Sequence, residues 1–131
     1  MKEWFIPGNV PSSKNSRRWT GRYFIASKTT MKYRDETDEY WKKYKSDFVE
    51  TIAGKPQPYI IEFEFIRGTR HKFDYINPLQ TVQDEMVKHG WLEDDNADIL
   101  IPLVAKYTYS KTEPGVIIRY YEYDEQQRII S

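Results

Sequence analysis

Residues 72–101 read KFDYINPLQTVQDEMVKHGWLEDDNADILI, and their punctuation decides the class of fold. Asn77 followed by Pro78 is a helix-start signal. An Asn side chain accepts from the first free N–H groups, and proline at the first helical position has no N–H to lose. Leu79, Val82 and Met86 then recur at helical spacing as a buried stripe, and Gly90 is the stop. Asn77, Gln80, Thr81, Asp84 and Lys88 share the polar face. Upstream, residues 59–66 (YIIEFEFI) alternate from Ile61 onward, with Ile61, Phe63 and Phe65 on one face and Glu62 and Glu64 on the other. Glu62 and Glu64 face either solvent or the acids downstream. Residues 99–109 and 116–123 read as two closing strands, joined through residues 111–115 as a hairpin.

Working outward, residues 3–6 form a short apolar run stopped by Pro7-Gly8, a first strand. Residues 9–21 (NVPSSKNSRRWTG) have no period and read as an exposed loop. Lys14, Arg17 and Arg18 lie there beside Trp19, a mixture of cations and aromatic that suits nucleic acid or simply a solvated loop. Residues 22–26 suit a second short strand, and Ser27 is placed to cap a helix running to about Ile52. Tyr33, Thr37, Tyr40, Trp41, Tyr44, Phe48 and Ile52 make its apolar face. Residues 54–58 (GKPQP) break it, and the tail 124–131 is polar apart from Ile129-Ile130. The expectation is one α+β domain over residues 1–131, a small mixed sheet packed against two main helices.

The totals bound the function. With 39% hydrophobic and 16% aromatic residues the chain has the material for one core, and its 131 residues are too few for two. The absence of cysteine excludes disulfides and thiolate metal sites. Only His71 and His89 are available as imidazole ligands, and no P-loop, GxGxxG or internal repeat occurs. The N-terminus MKEWFIPG has no apolar signal core, and no run reaches the roughly 18 apolar residues of a membrane span. A soluble intracellular chain with no membrane partner is expected.

Zero net charge hides an asymmetry. Residues 1–34 carry eight Lys or Arg against Glu3 alone, whereas residues 73–98 carry Asp74, Asp84, Glu85, Glu93, Asp94, Asp95 and Asp98 against Lys88. A basic arm attracts phosphate and an acidic knot holds a cation, though the two segments also suit mutual neutralisation. Two carboxylates about 4 Å apart repel by roughly 4 kcal/mol at an effective dielectric near 20. Such a group shares a proton, separates or binds a cation. With oxygen ligands only, Mg²⁺ or Mn²⁺ is favoured over zinc.

Three motifs in order carry a resemblance: Asp74-Tyr75-Ile76-Asn77, the helix bearing Gln80 and Asp84, and Trp91-Leu92-Glu93-Asp94-Asp95. A looser match covers Pro11, Ser12, Ser13, Lys14 and Asn15, and Tyr33-Arg34-Asp35. Together they resemble the RusA-type Holliday junction resolvases, small dimeric endonucleases of phages and bacteria. The resemblance implies a cytoplasmic homodimer acting on four-way DNA junctions in recombination and repair, with Mg²⁺ or Mn²⁺. It implies catalytic roles for Asp74, Asp84 and Asp95, and metal ligation by Asp74, Asp94 and Asp95. The DNA contacts are assigned to Lys14, Asn15, Arg17, Arg18, Arg70, Lys72, Asn77 and Gln80. Ile76 stands where the family has a second metal-binding aspartate, and Gln80 where it has a lysine assisting cleavage. Three readings stay open. The enzyme is active with Asp84, Asp94 or Glu64 supplying the missing carboxylate; the chain binds branched DNA and cuts weakly; or the fold serves a structural or interaction role.

Overall fold

The computed structural model describes residues 1–12, 17–19, 24–26 and 28–122. In chain order the elements are β1 (Lys2–Pro7), β2 (Arg17–Trp19), β3 (Phe24–Ala26), α1 (Lys28–Ile52), β4 (Tyr59–Arg67), α2 (Ile76–Lys88), β5 (Leu100–Val104), β6 (Thr108–Tyr109) and β7 (Gly115–Tyr120). Among the described residues the architecture is α+β, a five-stranded mixed sheet with two helices. Lys14, Asn15, Ser27 and the tail 124–131 lie outside the described residues. No helix among the described residues is long and apolar enough to cross a membrane.

Alternation builds the sheet. Trp4 and Ile6 of β1, Ile61, Phe63 and Phe65 of β4, and Val116, Ile118 and Tyr120 of β7 are all buried. Register puts them on one face, with Trp4 opposite Ile118, which in turn lies opposite Phe63. Against that face α1 packs Tyr33, Trp41, Phe48 and Ile52, and α2 packs Val82 and Met86. Tyr40 and Tyr44 sit half-buried at its margin. Trp91 joins the two helices, meeting Phe48 at 4.7 Å and Trp41 at 5.2 Å between ring centroids. The indoles keep hydrogen bonds on burial: Trp4 donates to Asp47, Trp41 to the Thr37 hydroxyl, and Trp91 to the Trp41 carbonyl.

Two expectations about the strands are corrected. The closing hairpin does not form. The run 99–109 divides into β5 and β6, both parallel to β4, while β7 inserts between β1 and β4, antiparallel to each. The reason is packing: the Val116, Ile118, Tyr120 stripe is apolar enough for a central position. Pro102, which has no N–H for a second ladder, lies in β5 at the sheet edge. A parallel β4–β5 pair requires a crossover, and α2 supplies it. Gly115 lets β1 approach closely, since a Cβ there would lie 2.5 Å from the Phe5 ring. Residues 9–21 are also not wholly loop, because β2 pairs with β3 as a small separate sheet.

Candidate functional site at helix α2

The site is built on α2, and its start differs from the expected one. The helix opens at Ile76 rather than after Asn77. Tyr75 occupies the cap position without a side-chain bond, and the Asp74 carboxylate accepts the Asn77 N–H at 3.1 Å. Asp74, not Asn77, does the capping, because it precedes the helix and its carboxylate lies over an orphan N–H of the first turn, whereas Asn77 is already inside that turn. Pro78 then falls within the first turn, where its missing N–H is harmless. At the other end Gly90 has φ +76°. Its N–H donates to Val87 and that of Trp91 to Met86, the paired bonds of a Schellman stop.

One face of α2 departs from expectation. Val82 and Met86 are fully buried and Leu79 is half-buried, but Thr81 is buried as well. Its hydroxyl donates to the Asn77 carbonyl, which lets it leave the polar face without an unmet group.

Gln80 and Asp84 remain outward and meet the loop that follows. The Gln80 Nε2 donates to Asp84 Oδ1 at 2.8 Å and to Asp95 Oδ2 at 3.4 Å. The structure therefore brings Gln80, Asp84 and Asp95 together around one amide. Asp94 is turned to its own loop: Oδ1 accepts the Asp95 N–H at 2.8 Å and Oδ2 accepts from Asn96 at 3.0 Å. Those bonds hold the Asp94 carboxyl below its usual range, the Asp95 N–H contributing most. Asp94 thereby orients Asp95.

The cations divide into two kinds. Arg70 and Lys72 are exposed, Arg70 lying 3.9 Å over the Tyr109 ring. Arg67 is buried, donating to the Val10 carbonyl at 2.6 Å and the Ser12 hydroxyl at 3.1 Å. It anchors the segment from Val10 to Ser12 that follows β1. Arg17 and Arg18 lie on β2. Glu62 and Glu64 face neither solvent alone nor the acidic loop. Both pair with Arg119 of β7, at 2.8 and 2.9 Å, and Glu3 joins at 3.1 Å. Burial opposes the Arg119 charge, but the Glu62 and Glu64 bonds outweigh it and raise its pKa.

Sequence reading missed a buried ionic cluster between the helices. Glu85 is fully buried with Oε1 3.0 Å from Arg34 Nε, an ion pair without an aligned hydrogen bond. Burial pushes the Glu85 carboxyl up, against Lys88, His89 and Arg34. Burial, with Glu85 nearby, also pushes the Tyr33 hydroxyl up. The helical series 78, 82, 85, 89 marks this inward face, so the spacing itself held the signal.

For a metal, the chemistry of the donors is the test. Among the described residues no group of three His, Cys, Asp or Glu side chains converges as a metal centre. Asp84 and Asp95 do converge, on a donor amide. Mg²⁺ is commonly held by one or two carboxylates, its waters and substrate phosphates, so two acids suit it. No protein-family model and no curated protein matches this chain.

Proposed function

We propose that this chain is a RusA-like, magnesium-dependent endonuclease that binds and nicks four-way DNA junctions as a homodimer. The observation that carries the reading is the meeting of Asp84 and Asp95 at Gln80, beside a helix capped by Asp74. Asp84 and Asp95 would hold the ion. Mg²⁺ or Mn²⁺, when bound, neutralises charge on a phosphate and activates water. Asp94 positions Asp95 through its backbone N–H. Arg70, Lys72 and the Asn77 side chain contact phosphate, and Gln80, released from Asp84 and Asp95 when they hold the ion, turns its amide N–H to a non-bridging oxygen. Lys14, Asn15, Arg17 and Arg18 are further proposed DNA contacts. A two-fold dimer sets two such sites against two strands of a junction.

A second reading, junction binding with little or no cutting, is favoured by two side chains. Ile76 is 76% exposed at the helix start, where it supplies no oxygen. Gln80 is neutral and already satisfied by two carboxylates.

Synthetic four-way junctions incubated with Mg²⁺ or Mn²⁺ separate these readings, with Asp95→Asn as the comparison. Symmetric nicks lost in Asp95→Asn support the nuclease. Tight binding without nicks supports the second reading. Neither binding nor nicking at low salt overturns both.

A further inference from the structure

An aromatic patch adjoins Asp74. Phe73, immediately before Asp74, meets Tyr107 edge-on at 4.8 Å and Tyr75 at 5.4 Å between ring centroids. The Tyr75 hydroxyl accepts the Tyr107 N–H at 3.1 Å, which ties the loop between β5 and β6 to the start of α2. Two residues further on, Tyr109 lies under the Arg70 guanidinium at 3.9 Å. Burial of large rings is the ordinary outcome of folding, yet Tyr107 and Tyr109 remain 41% and 38% exposed. Cations accompany them: Arg70 lies over Tyr109, and the exposed Lys106 and Lys72 are the chain neighbours of Tyr107 and Phe73.

Flat exposed rings bordered by cations match one chemistry. A nucleobase has a π-face of any sequence to stack on a tyrosine, and its phosphates meet the cations. Bases inside a duplex are stacked on one another and have no free face. An unpaired base has one. The patch begins one residue from Asp74, so a strand lying on it passes that carboxylate.

We propose that Tyr107 and Tyr109, with Phe73 as backing and Arg70 as the cation, stack unpaired nucleotides of DNA at a branch point. The inference rests on the branched-DNA reading and names the feature of the branch that is recognised. The occupant is single-stranded DNA because the patch combines π-faces with positive charge. A protein partner's apolar side chains would gain nothing from the cations.

The test measures binding of the full chain, by fluorescence anisotropy without divalent metal, to three probes. These are a fully paired four-way junction, the same junction with unpaired thymines at the branch, and oligothymidine. Wild type is expected to prefer the unpaired junction. Tyr107→Ala and Tyr109→Ala are each expected to lose about ten-fold on that probe, the scale of one lost base stack. They keep their affinity for the paired junction. Tyr107→Phe and Tyr109→Phe retain the ring and bind as wild type. If the alanine variants bind the unpaired junction as tightly as wild type, stacking is overturned while the branched-DNA reading stands. Equal wild-type affinity for paired and unpaired junctions has the same meaning. If wild type binds none of the probes at low salt, both fall. Circular dichroism of each variant establishes that it is folded.

Discussion

His89 Nε2, at the end of α2, lies 2.9 Å from Oδ1 of Asp38 on α1. Its other nitrogen, Nδ1, lies 2.9 Å from the Glu85 carbonyl. A carbonyl and a carboxylate are both acceptors, so only the imidazolium donates to both. The ring also stacks on Trp41 at 6.2 Å, so the His89–Asp38 contact forms on the aromatic core. This contact joins the two helices at the end remote from Asp74.

The acid limb of stability follows from Asp38. Its hydrogen bond from His89, and then that from Lys42, lower its pKa from 3.8 to about 2. A carboxylate with a depressed folded-state pKa binds more protons when unfolded. Its contribution is present above 3.8 and is lost as pH falls toward about 2. Asp38→Asn is expected to flatten urea-unfolding midpoints over that window, and an unchanged acid limb refutes the assignment.

Glu85 acts with the opposite sign. Its folded-state pKa is raised above 4.5, chiefly by burial, so the folded state binds the extra proton. Its contribution is fully present below 4.5 and is lost as pH rises through the folded-state value. Mild acidification of wild type is therefore expected to raise stability before Asp38 lowers it. Glu85→Gln removes the rise, as read from thermal midpoints across a pH series.

Asp74 has a structural duty that any functional test must separate from its charge. Asp74→Ala is expected to cost about 1 kcal/mol through loss of the α2 cap. Asp74→Asn keeps an oxygen acceptor for the Asn77 N–H and is expected to unfold within a few tenths of a kcal/mol of wild type. Chemical denaturation measures both. Loss of nicking in Asp74→Asn then reports on the carboxylate charge.

Arg119 keeps two same-face glutamates, Glu62 and Glu64, from repelling each other. Among the described residues, Arg119→Met leaves both half-buried without a cation, with only the Thr108 and Tyr121 hydroxyls donating to them. The expected cost is about 1–3 kcal/mol, between that of an exposed and a buried broken pair. The urea midpoint falls at unchanged slope. Adding Glu62→Gln and Glu64→Gln recovers part of the loss.

Ile76 gives the test of the ligand set. At 76% exposure it tolerates a polar side chain without a cavity. Ile76→Asp is expected to raise magnesium affinity about ten-fold or more, since one added carboxylate opposite a divalent ion contributes more than the required about 1.4 kcal/mol. Calorimetric titration measures it, and no gain means that this position does not face the ion.

The sequence by itself determined whatever depends on neighbours along the chain. The 33, 37, 41, 48, 52 spacing of α1, the alternation of β4 and the Gly90 stop are local, because side-chain direction repeats with the backbone period and only glycine enters φ +76° cheaply. The acidic character of residues 73–98 was equally legible. Tertiary structure alone decided which partners each face meets. Whether β7 pairs with β5 or enters between β1 and β4 depends on the apolar face it completes, which no local spacing encodes. Glu62 and Glu64 look the same on paper whether they face water or Arg119, and Glu85 looks like any helix-face acid until Arg34 is packed against it. At the candidate site the acids Asp84 and Asp95 are far enough apart in sequence that only the turn after Gly90 brings them to one amide. Packing against a shared core makes that choice, because burying one set of apolar faces fixes where every charge on the opposite faces must lie.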